Sequence, residues 1–136
     1  MNALVALPHA PKVRVLLVED EEDDAVLIQN IVQRSSRDVA CSWSVSADAA
    51  RRSTLEESFD LVLIDHQIGE VSGMELLREF ATADARTPVV LLTQSPDPNI
   101  DRAARAFGAW AVTTKSQVSL QWFEDMLDTF TTSPDP

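Results

Sequence analysis

The sequence has a single cysteine, no tyrosine and only half as many basic as acidic residues. With Cys41 alone, no intrachain disulfide can form, and a reducing, cytoplasmic location is expected. Eleven Lys and Arg residues face 22 Asp and Glu residues, and the formal net charge of -11 argues against binding to nucleic-acid phosphates. No apolar run approaches the roughly 18 residues of a membrane-spanning helix, so no membrane association is expected.

Composition divides the chain into one domain with two short ends. Residues 1–11 lack a basic segment and a long apolar stretch, which excludes a signal peptide and predicts a flexible arm. Residues 132–136 are expected to form a disordered tail. The chain between, residues 12–131, fits one globular domain, because 45% of the residues are apolar and 24% are charged.

Apolar runs alternate along the chain between strand-like and helical spacing. Helical spacing comes after each strand-like run, and Asp97 and Pro98 mark the start of one helix that Gly108 ends. Five strands alternating with five helices predict a doubly wound α/β fold, a parallel sheet covered on both faces. The five strand segments are KVRVLLV, VACSWSV, DLVLI, PVVLLT and AWAVTT.

Polar residues follow four of the five predicted strands. Glu19 and Asp20 follow the first strand, Asp65 ends the third, Thr93 ends the fourth and Lys115 follows the fifth. Ligands of parallel α/β sheets bind beyond the carboxyl ends of the strands, so these side chains are expected to converge. Three carboxylates held together need a cation, and Mg²⁺ is favoured because it prefers oxygen ligands; Mn²⁺ is the alternative ion.

The acidic run continues through residues 21–24, and these four acids are expected to have a different role. They fall at the start of a predicted helix, where negative charge complements the helix dipole. We therefore predict a structural role for them rather than metal binding.

Asp65 is the best candidate for a nucleophile at this edge of the sheet. It ends the central apolar strand, where the backbone is rigid, and a carboxylate beside Mg²⁺ can form an aspartyl phosphate. The incoming phosphoryl group carries roughly 1.5 to 2 negative charges. Lys115 can balance that charge, and the Thr93 hydroxyl can donate a hydrogen bond.

Together these segments resemble the receiver domain of bacterial two-component response regulators, of the chemotaxis-regulator type. The resemblance runs from about Lys12 to Phe130 and rests on four segments that match the family in type and spacing. These are VLLVEDEEDD with its acidic pair, DLVLIDHQIGEVSG with Gly73 eight residues after Asp65, PVVLLT ending in Thr93, and GAWAVTTK from Gly108 to Lys115.

The resemblance implies a flavodoxin-like three-layer sandwich with strand order 2-1-3-4-5. It implies that Asp65 accepts a phosphoryl group from a histidine kinase or a histidine phosphotransfer protein. It also implies a metal shell of the Asp20 and Asp65 carboxylates and the Gln67 backbone carbonyl, with Glu19 acting through water. Gln67 and Ser95 would line the approach to the phosphoryl group.

Three positions depart from the family pattern. Gly69 replaces the usual proline four residues after the phosphoacceptor, so that loop is expected to be freer. Ser116 replaces the proline that often follows the lysine, and a trans Lys115–Ser116 bond is expected. Val112 stands where the family has Tyr or Phe, so the usual aromatic switch is absent in its familiar form.

Three side chains away from the predicted site have packing as their simplest role. Cys41 and Trp43 lie in the second predicted strand and are expected to be packing residues. Trp110 precedes the fifth strand and has two open interpretations. It is either an exposed aromatic that anchors a partner, or a residue that packs against Phe107 or the last helix.

We therefore expect a single-domain receiver that signals through protein contacts with a downstream target that the sequence does not identify, as a monomer or weak dimer. It would be a phosphoacceptor with slow autodephosphorylation rather than an enzyme. A receiver-fold scaffold that works without phosphorylation is the alternative. A phosphatase of the haloacid dehalogenase type is disfavoured, because Gln67 stands where such enzymes need an acid.

Overall fold

A computed structural model describes residues 13–132 of the chain, with side chains through residue 130. Its main sheet has five parallel strands, each formed by one of the predicted apolar runs. Val, Ile and Leu dominate the three central strands, as expected for strands buried on both faces. The strands are β1 (Val13–Val18), β2 (Val39–Ser44), β3 (Leu61–Asp65), β4 (Val89–Thr93) and β5 (Ala111–Thr114).

The strand order is β2-β1-β3-β4-β5, which confirms the predicted topology. β1 is hydrogen-bonded to β2 on one side and β3 on the other, so the chain reverses its winding direction at β1. In α/β sheets of this kind the crevice at the carboxyl ends beside that reversal is the usual ligand site. The acids that follow β1 and the acid that ends β3 therefore meet at this position.

Five helices connect and cover the strands, and side-chain caps fix the starts of three of them. Ser46, Ser72 and Asp97 each accept a hydrogen bond from a backbone N–H of the helix that they precede. Pro98 occupies the first turn of the fourth helix, as predicted. The helices are α1 (Glu22–Gln33), α2 (Ala47–Glu56), α3 (Gly73–Ala83), α4 (Pro98–Ala106) and α5 (Leu120–Thr132).

The core forms two apolar layers, one on each face of the sheet. Successive residues of β1 alternate between them: Leu17 packs into the layer under α1 and α5, and Leu16 into the layer under α2, α3 and α4. Fully burying one such side chain stabilises the fold by about 1.5–3 kcal/mol. The result is the three-layer sandwich expected from the sequence, and it holds the carboxyl ends of the strands rigidly.

Two short elements at the carboxyl edge could not be predicted from the apolar pattern. Gln67–Ile68 and Val71–Ser72 form a two-residue antiparallel ladder after β3, and Lys115–Gln117 form a 3-10 turn after β5. Both are too short to carry a periodic signal. They nevertheless set the positions of residues that surround Asp65.

The ends of the chain fall largely outside the described residues. The arm predicted for residues 1–11 lies entirely outside them, and so does the tail predicted for residues 132–136, except that residue 132 is the last residue of α5. No helix within residues 13–132 is long and apolar enough to cross a membrane.

Candidate functional site

The acidic pair after β1 lies beside the carboxylate that ends β3. Glu19, Asp20 and Asp65 each offer a carboxylate oxygen, and these atoms all lie within 4.8 Å of one another. Glu19 is fully buried and Asp65 is 5% exposed, whereas Asp20 faces solvent. The fold thus brings the acidic pair next to an acid that lies more than 40 residues later in the chain, about 46 from Glu19. Two of the three acids are buried.

Backbone and indole hydrogen bonds fix this acidic pair. The Glu19 N–H donates to the Ser44 carbonyl at 3.0 Å, which continues the β1–β2 ladder one residue beyond the strand. The Trp43 indole N–H donates to the Glu19 carbonyl at 2.7 Å. Trp43 packs against the core as expected, but it also anchors the backbone that carries the acids.

Asp65 is held in place by the two residues that come after it in the chain. The His66 N–H donates to the Leu92 carbonyl at 2.8 Å, so β3 stays paired with β4 just past Asp65. The Asp65 carboxylate accepts a long hydrogen bond of 3.4 Å from the Gln67 N–H. A carboxylate on a rigid strand end, with one exposed approach, has the placement that a nucleophile needs.

Gly73 closes the loop after Asp65 by packing directly on the backbone of that residue. A Cβ at position 73 would lie 2.0 Å from the Asp65 carbonyl oxygen, far inside any real contact distance. The Gly73 N–H donates to the His66 carbonyl at 2.7 Å, which ties the start of α3 to the end of β3. The glycine spacing noted in the sequence therefore has a steric cause.

Lys115 reaches the three acids from the opposite side. Its Nζ lies 3.0 Å from Glu19 Oε1, 3.3 Å from Asp65 Oδ2 and 2.8 Å from Asp24 Oδ2. Its side chain is 12% exposed, and it is the only lysine among residues 13–132. The described residues contain no cis peptide bond, so the Lys115–Ser116 bond is trans, as predicted.

Charge and burial work against each other in this cluster. Burial raises the pKa of Glu19, the contact with Lys115 lowers it and the neighbouring Asp65 raises it again, with a net value of about 7. Burial alone would lower the pKa of Lys115, but its contacts with Asp24 and Glu19 and the charge of Asp65 outweigh that effect and raise it. Glu19 Oε1 is buried and is paired with the Lys115 ammonium at 3.0 Å.

Of the four acids at residues 21–24, Glu21 immediately precedes α1 and the other three lie inside it. Glu22, Asp23 and Asp24 occupy the first turn of α1, the position predicted for them beside the helix dipole. Asp24 also accepts a hydrogen bond from Lys115, a contact that the sequence did not predict. No local pattern signals this contact, because its partner follows another strand 91 residues later in the chain.

Thr93, Gln67 and Ser95 line a depression of about 160 Å³ that opens onto Asp65. Thr93 is 3% exposed, and its hydroxyl donates to the Ser95 carbonyl at 3.2 Å. Gln67 is exposed, and its side-chain amide donates to the Gly69 carbonyl at 3.0 Å. These predicted residues therefore share one approach to Asp65, although none of their side chains is hydrogen-bonded to its carboxylate.

Gly69 links the loop after β3 to the acidic pair. Its N–H donates to Asp20 Oδ2 at 2.9 Å, a bond that a proline at this position could not make. Its φ of +62° lies in the left-handed region that favours glycine. The expectation of a freer loop stays a prediction, but the family's proline would be incompatible with the backbone found here.

The positions near β5 also depart from the family's aromatic arrangement. Val112 is half-buried and lines a cavity of about 460 Å³ together with Thr93, Ile100 and Thr114. Trp110 packs edge-to-face on Phe130 of α5 at a ring-centroid distance of 4.7 Å and remains 42% exposed. It is therefore both an exposed aromatic and a packing residue against the last helix.

Cys41 lies in β2 and packs against the core layer under α1 and α5. Burial raises the pKa of its thiol to about 12, so it remains protonated at neutral pH. This agrees with its interpretation as a small packing residue.

These features define a receiver domain, and comparison with known proteins gives the same family. The family model described as "Response regulator receiver domain" matches residues 15–123. The chain belongs to this family.

Curated relatives contain a similar segment within much longer proteins. The chain is 26% identical over 129 residues to the sensory/regulatory protein RpfC of Xanthomonas campestris pv. campestris, a match that covers 90% of this chain and 18% of RpfC. It is 27% identical over 115 residues to the autoinducer 2 sensor kinase/phosphatase LuxQ of Vibrio vulnificus, covering 84% of this chain and 13% of LuxQ. The chain thus spans less than a fifth of either protein.

Solved structures show the same fold at low sequence identity. A receiver domain protein (CheY-like) from Methanospirillum hungatei has a TM-score of 0.76 at 18% identity, covering 88% of this chain and 94% of the other. The Mn²⁺-bound form of response regulator Rcp1 has a TM-score of 0.71 at 23% identity, covering 91% and 97%.

Proposed function

We propose that Asp65 accepts a phosphoryl group from a phosphohistidine of a sensor kinase or a histidine phosphotransfer protein. The observation that carries this proposal is the convergence of Asp65 with Glu19, Asp20 and Lys115, with carboxylate oxygens within 4.8 Å and the Lys115 ammonium 3.3 Å from Asp65. Membership of the receiver family and the match to a segment of a sensor kinase support the choice of donor.

The chemistry is a displacement at phosphorus. A carboxylate oxygen of Asp65 attacks the phosphorus atom, the P–N bond to the donor imidazole breaks, and the imidazole leaves as an acyl phosphate forms. Lys115 offsets part of the added negative charge from its position beside Asp65. The Thr93 hydroxyl, which here donates to the Ser95 carbonyl, lines the same depression as Asp65, and we expect it to turn toward the phosphoryl oxygens.

The donor set fits a hard divalent cation, Mg²⁺ or Mn²⁺. Every candidate side-chain ligand is a carboxylate oxygen, and the three carboxylates face only one ammonium, that of Lys115, among the described residues. We propose that Asp20, Asp65 and the Gln67 backbone carbonyl hold the ion, with Glu19 acting through water. When bound, the ion supplies positive charge that lowers the barrier to bringing an anionic donor to an acidic site. Rcp1, a structural neighbour, was solved with Mn²⁺.

The phosphorylated state would be lost slowly to water and would be sensed by protein contact. Gln67 and Ser95 flank the depression over Asp65, so their side chains set the access of the water that removes the phosphoryl group. The chain acts as a phosphoacceptor, as a monomer or weak dimer, rather than as an enzyme that turns over a separate substrate. Its formal charge of -11 disfavours nucleic acid as the target.

Intact mass measurement after incubation with Mg²⁺ and a small acyl phosphate tests the proposal. The expected product carries the mass of one phosphoryl group, and Asp65→Asn should carry none. Asp23→Asn is the matched control, because it removes one carboxylate from the exposed start of α1 without touching the site. Equal labelling of Asp65→Asn and the unmodified chain would move the acceptor elsewhere, and no labelling of the unmodified chain would reject phosphoacceptance.

A further inference from the structure

The environment of Lys115 contains one acid that the proposed phosphoacceptor chemistry does not use. Of its three carboxylate neighbours, Asp24 is the nearest at 2.8 Å and the only one that accepts a hydrogen bond from Nζ among the described residues. Asp65, the proposed acceptor, is the most distant at 3.3 Å. The resting ammonium is therefore shared between the metal cluster and an acid outside it, and its shortest contact is to that outside acid.

Asp24 has a fixed position from which to hold the lysine. It lies in the first turn of α1, and its side chain is 35% exposed, against 12% for Lys115. The backbone of Lys115 is equally fixed, since the Thr114 N–H donates to the Gln117 side chain in a capping box around the 3-10 turn. With both backbones fixed, the contact can be broken by rotation of the two side chains alone, chiefly that of the longer Lys115.

The phosphoryl group would compete with Asp24 for the same ammonium. Lys115 has three N–H donors. A phosphoryl group on Asp65 carries roughly 1.5 to 2 negative charges on three acceptor oxygens, in place of the single charge of the free carboxylate. Each hydrogen bond that Lys115 keeps with Asp24 is one fewer for those oxygens. The charge of Asp24 also opposes the approach of an anionic donor.

We propose that Asp24 is a positioning residue that restrains Lys115 in the unphosphorylated state and thereby slows phosphorylation of Asp65. The inference rests on the proposed phosphoacceptor function and assigns a regulatory contact within the same site. Release of Lys115 from Asp24 would then accompany the arrival of the phosphoryl group.

Three substitutions separate the possible roles of Asp24. Asp24→Asn keeps an oxygen that accepts a hydrogen bond but removes the charge, whereas Asp24→Ala removes both. Asp24→Glu keeps the charge and should restore most of the original behaviour. Asp23→Asn is the matched control, because Asp23 is the preceding residue, is exposed, and its side chain makes no ion pair or hydrogen bond in the described structure.

The first measurement is the side-chain NMR signal of Lys115, which needs no phosphorylation. The chain has only two lysines, so Lys12→Arg leaves the Lys115 signal alone in lysine-labelled protein. Asp24→Asn and Asp24→Ala should shift this signal and speed exchange of the ammonium protons, whereas Asp23→Asn should leave it unchanged. An unaltered signal in the Asp24 variants would overturn the proposal.

The second measurement is the rate of phosphorylation by a small acyl phosphate at fixed Mg²⁺, followed by intact mass. Asp24→Asn and Asp24→Ala should raise the rate about two- to fivefold, and Asp23→Asn should leave it nearly unchanged. Equal acceleration in the Asp23 and Asp24 variants would reduce the effect to net charge and overturn the proposal. So would a slower rate in Asp24→Asn at an unchanged melting temperature.

The two measurements also distinguish failure of this inference from failure of the proposed function. If neither the unmodified protein nor any variant is phosphorylated, the proposed phosphoacceptor function is rejected. In that case the NMR signal of Lys115 still decides whether Asp24 restrains the lysine. If phosphorylation occurs normally but the Asp24 variants match the control in both measurements, only the role of Asp24 is rejected.

Discussion

Gly73 lies against the carbonyl of Asp65 so closely that a single added carbon would overlap it. The distance from an added Cβ to that oxygen would be 2.0 Å, and the nearby Ile64 side chain would be 3.0 Å away. The helix that begins at Gly73 therefore cannot form in place unless position 73 lacks a side chain. This contact couples the placement of α3 to the backbone that carries the proposed acceptor.

Gly73→Ala should destabilise the protein and displace Asp65. Overpacking against the buried carbonyl should lower the free energy of unfolding by about 3 kcal/mol, measured by chemical denaturation. Gly69→Ala is the comparison, since an added Cβ there meets no atom within 4 Å and costs only about 1–2 kcal/mol for its left-handed backbone. Equal destabilisation by the two substitutions would contradict the steric argument.

Asp20→Asn should remove most of the stabilisation that Mg²⁺ gives the fold. An ion that binds only the native state raises the free energy of unfolding in proportion to the logarithm of its concentration. The melting temperature of the unmodified protein should therefore rise with millimolar Mg²⁺, and that of Asp20→Asn should scarcely change. Glu21→Gln is the control, because Glu21 is exposed and outside the cluster. No rise in the unmodified protein would exclude a metal site.

Without divalent ions, Glu19 should make the protein less stable as the pH rises from 4.5 to 7. The pKa of Glu19 is about 7 in the folded protein against 4.5 for an unperturbed glutamate, so in this interval the folded state holds a proton that the unfolded state has released. The free energy of unfolding should fall by about 1–3 kcal/mol across the interval.

The measurement is chemical denaturation at a series of pH values in the presence of a chelator. Glu19→Gln should lose this part of the pH dependence and become more stable than the unmodified protein near pH 7, whereas Glu22→Gln should retain it. A parallel pH profile in Glu19→Gln and the unmodified protein would show that Glu19 ionises normally.

Phosphorylation should alter the segment from Thr93 to Ala111 rather than the rotamer of Val112. Val112 is stiff and small, and it borders a cavity of about 460 Å³ that leaves α4 and its flanking loops room to shift toward Thr93. Amide exchange with and without a phosphoryl mimic should show changed protection in this segment. Changes restricted to the Asp65–Gly73 loop would instead indicate an output surface beside the acceptor.

Trp110→Ala tests whether the exposed aromatic contributes to that response. The Trp110 ring packs on Phe130 at 4.7 Å, so its removal should loosen the contact between the start of β5 and the end of α5. Amide exchange near residues 126–130 should become faster while the phosphorylation rate stays within about twofold, since Trp110 is outside the site. A large fall in phosphorylation would mean that this contact supports the site itself.

The resemblance to receiver domains implied the strand order. The residues by themselves predicted the parallel sheet and the convergence of Glu19, Asp20, Asp65 and Lys115 at one edge of it. These predictions succeed because they depend on local and additive signals: buried parallel strands are continuous apolar runs, and the residues that end such strands must meet at one edge. The spacing of Gly73 from Asp65 was visible too, but only the packed structure gives the 2.0 Å overlap that explains it.

Tertiary structure alone decided which charge pairs with which. Six consecutive acids look alike in the sequence, yet Glu19 is fully buried, Asp20 faces solvent and accepts the Gly69 N–H, and Asp24 binds Lys115 across 91 residues. Those differences come from the direction in which each residue leaves the β1–α1 turn. The hydrophobic period of a helix or strand determines which of its faces is buried. The partner of a charged side chain depends instead on which other helices and strands pack beside it, and on how much water remains between the charges.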